Sequence, residues 1–117
     1  YAGDDWVEVD IYTDNNPGPW VSGYEGYSKK FGDLIWMRGR LNPENSVSPN
    51  LTKKVLSVAT AHKPSREIAK PIIAHKYAGG YELVTAIIDT DGDITIGLTN
   101  AWNTYDWVDF NIEWSTQ

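Results

Sequence analysis

The stretch YSKKFGDLIWMRGRL, Tyr27 to Leu41, sets two runs of similar length around a Gly-Asp pair. Gly32-Asp33 suits a tight turn, so the stretch reads as a β-hairpin. Its first strand lies near Tyr24–Phe31 and its second over Leu34–Leu41. Side chains alternate across a strand, which puts Ile35, Met37, Gly39 and Leu41 on one face. Leu34, Trp36, Arg38 and Arg40 share the other, a ring beside two guanidinium groups.

The same period of two extends outward from the hairpin. In WVEVDIY (6–12), Val7, Val9 and Ile11 alternate with Glu8 and Asp10, as a half-buried strand does. KVLSVA (54–59), PIIAHKY (71–77), YELVTAIID (81–89), ITIGL (94–98) and WVDFNIEW (107–114) read as further strands. In the last of these Val108, Phe110 and Ile112 share one face. DNNPGPW (14–20) and NPENSVSPN (42–50) are loops, and AHKPSREIAK (61–70) is irregular around Pro64. Ala78-Gly79-Gly80 and DTDGD (89–93) supply further turns. No segment keeps a helical stripe between its Pro and Gly breaks. Seven or eight short strands joined by hairpins predict an all-β fold, an antiparallel β-sandwich or barrel.

The 117 residues suit a single domain over 1–117, large enough for a core without metal or disulfide staples. A start at Tyr1 rather than Met reads as a piece excised from a longer chain. A net charge of −6 disfavours a phosphate backbone, and no basic stripe is interleaved with aromatics, so no nucleic-acid partner is expected. No run of about 18 apolar residues occurs, so no membrane insertion is expected either. Zero Cys excludes disulfides and thiolate chemistry. Six Trp and seven Tyr against two Phe favour rings with a polar edge, which suit surfaces that are apolar on one side and wet on the other.

Metal, cofactor and catalytic signals are weak. Asp89, Asp91 and Asp93 are spaced as a hard cation likes, but Gly92 falls at the fourth position of a calcium loop rather than the sixth. An Asp-Gly hairpin explains them, and neither metal nor cofactor is expected. His62 and His75 show no ligand spacing; each reads as a hydrogen-bonding surface residue, with His62 on a loop where it could also touch ligand. No nucleophile turn occurs. Glu8 and Asp10 share an outer strand face as solubilising charges. The chain is therefore not expected to be an enzyme.

In their order, these pieces resemble the C-terminal head domains of tail-fibre and baseplate receptor-binding proteins from phages of Gram-positive bacteria. The resemblance spans roughly Tyr24 to Trp114. It rests on Arg38-Gly39, Lys63-Pro64, Pro71-Ile72, the Asp89-Thr90-Asp91-Gly92 hairpin and the closing aromatic strand from Trp107-Val108. It implies a β head on a phage tail tip, outside the cell, commonly a homotrimer joined to other tail and baseplate proteins. Such heads recognise saccharides of the host cell wall without catalysis. The face of Trp36, Arg38 and Arg40 then suits a subunit interface. A carbohydrate-binding module of a secreted enzyme, or a purely structural baseplate or fibre domain, would share much of this pattern.

NAWNTYDW (100–107) is the expected sugar-facing surface. Its rings match the apolar face of a sugar, its Asp accepts from hydroxyls and its Asn both donates and accepts. Asn100, Trp102, Asn103, Tyr105 and Asp106 are the candidate contacts, in a loop before the strand that Trp107 opens as a structural ring. Trp20, in its Pro-rich loop, and His62 join them. Trp102 either faces water or plugs the end of the barrel.

Overall fold

The computed structural model describes residues 6–12, 21–43 and 52–117, apart from the side chains at 21–23 and 103. Its strands are β1 (Trp6–Glu8), β2 (Asp10–Ile11), β3 (Val21–Phe31), β4 (Leu34–Pro43), β5 (Thr52–Ser57), β6 (Ile68–Lys76), β7 (Tyr81–Ile88), β8 (Asp93–Gly97) and β9 (Tyr105–Ser115). Single 3-10 turns occupy Thr60–His62 and Trp102–Thr104. The strands form one antiparallel sheet in the order β1-β3-β4-β9-β6-β7-β8-β5-β2.

That order nearly closes on itself, as a barrel, through the segment read as one alternating strand. Residues 6–8 pair with β3 on one edge, and residues 10–11 pair with β5 on the other. Val9 turns the chain between them, donates its N–H to the Gly26 carbonyl at 2.9 Å and is fully buried. Val7 departs from the predicted pattern: it is 38% exposed on β1, a three-residue strand at the edge of the sheet.

The core follows the predicted parity. Ile35, Met37 and Leu41 of β4 meet Val108, Phe110, Ile112 and Trp114 of β9, with Ala74, Ala86, Ile88, Ile94, Ile96 and Leu98 completing it. Turns obey local rules as well. Gly32, Gly79, Gly80 and Gly92 all take positive φ, which only glycine adopts freely. β6 begins earlier than its sequence suggests, at Ile68, with Pro71 inside it. Pro71 is tolerated because it pairs only with Thr85 of β7; the ladder to β9 starts at Ile73.

Two irregularities shape the sheet. Gly26 opposes Gly39 where β3 and β4 approach closely, and a Cβ on Gly39 would lie 2.6 Å from the Glu25 carbonyl oxygen. On β9, the pairing with β6 slips: His75 meets Trp107, but Lys76 meets Tyr105. The extra residue, Asp106, makes a bulge that reverses the parity of everything before it.

Candidate functional site

β9 is paired on both sides, to β4 and to β6, so its outward residues sit in the middle of a broad face. Inward Val108 dictates outward Trp107. Across the ladder Trp107 faces His75, which in turn faces Tyr81. The imidazole stacks on the indole with centroids 4.7 Å apart and planes 12° from parallel. Tyr81 leans on both, 5.1 Å from His75 and 5.9 Å from Trp107, and remains 69% exposed. From the other side the Arg40 guanidinium lies 4.1 Å over the Trp107 ring.

Arg40 is fixed by a two-point pair with Asp109, its register partner, at 2.7 and 3.1 Å. That hydrogen bond, opposed by slight burial and supported by the carboxylate charge, raises the guanidinium pKa above its ordinary value. Asp106, displaced by the bulge, points its Oδ2 to within 3.6 Å of His75 Nδ1, a buried nitrogen with no hydrogen bond. The result is a ring cluster in which His75 and Arg40 flank the Trp107 indole, Tyr81 stays exposed, and Asp106 and Asp109 stand at the margin.

Beside it, the loop read as sugar-facing wraps a single carboxylate. Glu82 of β7 accepts from the Tyr105 hydroxyl and the Thr99 hydroxyl at 2.7 Å each, pairs with Lys76 at 3.4 Å and meets the Asn100 amide at 3.5 Å. The Asn100 amide also reaches the Tyr105 hydroxyl at 3.2 Å. Burial works to raise the Glu82 pKa, but these donors overcome it and hold it below the ordinary value. The Tyr77 N–H, bonded to the Thr104 carbonyl at 3.1 Å, ties the β6–β7 hairpin to the same loop.

The structure therefore divides the predicted contacts. Trp102 and Tyr105 are both 0% exposed and belong to the core, which corrects their reading as stacking rings. Trp102 plugs the barrel, and the bulge at Asp106 turns Tyr105 inward, leaving its hydroxyl to anchor Glu82. His62 is also a correction: it is 5% exposed, bonded through Nδ1 to the fully buried Ser28 at 2.7 Å, and its carbonyl accepts from Trp114 Nε1 at 2.8 Å. Asn100 and Asp106 are half-buried near the platform. Trp20 and the Asn103 side chain lie outside the described residues.

Sequence reasoning did not find Trp107, His75 and Tyr81 as a group. The signal for Trp107 was present, since period two puts it outward once Val108 faces in. Nothing in the sequence showed that His75 and Tyr81 would stand in its row.

Two other clusters have structural explanations. Asp89, Asp91 and Asp93 do converge, but Asp89 Oδ1 accepts the backbone N–H groups of Asp91 and Asp93, and the Lys54 ammonium lies 3.7 and 3.2 Å from Asp89 and Asp93. Turn geometry and a resident cation account for them. The Ser28–His62 pair is buried and joins β3 to the Thr60–His62 turn.

No protein-family model matches the chain, and no curated protein matches it. Its fold is similar to that of a receptor-binding domain of a lactococcal phage, the head domain of phage bIL170. The TM-score is 0.69 over 94% of this chain and 96% of that one, at 17% sequence identity. At that identity the likeness is one of fold.

Proposed function

We propose that this chain is the head domain of a phage tail or baseplate adhesin, binding a saccharide of the host cell surface without catalysis. The observation that carries this reading is the stacked His75–Trp107 pair with exposed Tyr81 over it and Arg40, Asp109 and Asp106 at its edge. Sugars present an apolar face ringed by hydroxyls, and the exposed Tyr81 ring, propped on a Trp107 indole held between His75 and Arg40, offers an aromatic face beside charged acceptors and donors. The shared fold with a phage receptor-binding head supports the same assignment, including a place on the virion tail.

A homotrimer belongs to this reading. Ile73 and Leu83, 44% and 73% exposed, extend the ring cluster as an apolar strip on β6 and β7 that suits packing against a second copy. The sugar site would then lie beside a subunit seam. Weak individual contacts multiplied over several copies give useful adhesion through effective concentration.

Sedimentation of the chain with host cell walls, before and after removal of wall polysaccharide, tests the proposal. Binding must vanish on stripped walls and fall strongly in Trp107→Ala. Equal binding to stripped walls sinks it. Light scattering separates a trimer from the monomer expected of a carbohydrate-binding module.

A further inference from the structure

Two residues along β4 from Arg40, Arg38 is exposed on the same outer face, opposite Tyr27 of β3 and Asn111 of β9. Arg40 is neutralised by Asp109. Arg38 has no carboxylate: among the described residues its contact is the Trp36 ring, 5.5 Å from the guanidinium carbon. It opens onto a groove of about 1130 Å³ lined also by Trp6, Tyr24, Tyr27 and Asn111, with Glu25 and Asp109 toward the Arg40 end.

The walls of that groove are held in place. Trp6 packs on Trp36 with centroids 5.3 Å apart, and the Lys29 ammonium lies 5.8 Å from the Trp6 centroid. Trp36 Nε1 donates to Asn111 Oδ1 at 2.8 Å, which leaves the Asn111 amide nitrogen to donate outward. A guanidinium with no carboxylate partner among the described residues, walled by rings, stands out on a chain of net charge −6. Its planar fork fits a carboxylate or a phosphate, and the neighbouring rings fit the apolar face of a sugar.

We infer that this groove is a second subsite, selective for an acidic sugar, in which Arg38 holds the oxyanion and Tyr27 and Trp6 cover the ring. It rests on the saccharide-binding reading but uses different residues from the Trp107 platform.

The test is an NMR titration of the isotope-labelled chain with glucuronate, glucose 1-phosphate, glucose and inorganic phosphate, following the Trp6 and Trp36 indole N–H signals. Both signals are expected to shift with an acidic sugar at millimolar concentration, with glucose at least about tenfold weaker and phosphate alone silent. The tighter of the two acidic sugars identifies the oxyanion as carboxylate or phosphate. Arg38→Gln is expected to abolish the preference while leaving the thermal midpoint in place. Arg38→Lys, which keeps the charge without the fork, is expected to weaken it several-fold. Equal shifts with glucose, an unchanged preference in both variants, or a full response to inorganic phosphate alone overturns the inference. Trp107→Ala separates it from the adhesin reading: the Trp6 titration is expected to persist in that variant while wall binding falls. Failure of wall binding in the parent chain, with the Trp6 titration intact, removes the adhesin and leaves the subsite.

Discussion

The imidazole of His75 lies flat on the indole of Trp107, 4.7 Å between centroids, because β6 and β9 place the two residues directly opposite each other on the outer face. The pair is a consequence of register. It joins two strands that are far apart in sequence and, with Arg40 over the same indole, gives the exposed Tyr81 ring a packed support.

Replacing Trp107 with Ala is expected to reduce cell-wall binding on the order of tenfold or more, as loss of a central aromatic contact does. The indole faces outward, so the urea midpoint is expected to move little. Binding isotherms and unfolding curves on the same preparation check both halves.

Trp102→Ala is expected to behave in the opposite way. The ring is fully buried in the core cluster, and its loss costs about 3–5 kcal/mol of stability. Any loss of wall binding is expected to follow the folded fraction. Chemical denaturation measures the first; binding corrected for folded protein measures the second.

Gly39→Ala is expected to destabilise by about 1–3 kcal/mol, the usual range for overpacking. The new methyl would meet backbone, 2.6 Å from the Glu25 oxygen and 2.8 Å from the Gly26 Cα. Neither yields without disturbing the β3–β4 ladder. An unchanged urea midpoint contradicts this.

Stability is expected to depend on pH in two windows. Burial, and then the nearby Lys30 charge, hold His62 below its ordinary value of 6.5. The unfolded chain takes up that proton first, so stability is full above pH 6.5 and falls as pH drops toward the folded value. His62→Gln is expected to remove that slope. Glu82 also titrates below its ordinary value of 4.5, so its contribution is present above that pH and is lost as pH falls through the lower folded value. Tyr105→Phe, which deletes one donor, is expected to flatten the second window. Urea midpoints across the pH range resolve the two.

Calcium and EDTA are expected to leave the thermal midpoint unchanged, since Lys54 already sits against Asp89 and Asp93. A rise of several degrees with calcium contradicts this.

Alternation alone determined the all-β class, the 27–41 hairpin, the inward set Ile35, Met37, Leu41, Val108, Phe110 and Ile112, and the turns at Gly32, Gly79 and Gly92. These are local: side-chain parity and backbone φ depend on a few neighbouring residues. The outward face of Trp36, Arg38 and Arg40 was legible for the same reason. Tertiary structure decided the rest. Residues 6–12, one strand by pattern, divide at Val9 because the barrel has two edges to join. Tyr105 turned inward because pairing with β6 inserted a bulge at Asp106, and a single extra residue reverses parity without any mark in composition. Trp107, His75 and Tyr81 became one site only when three strands came into register, and no local pattern specifies which strands are neighbours.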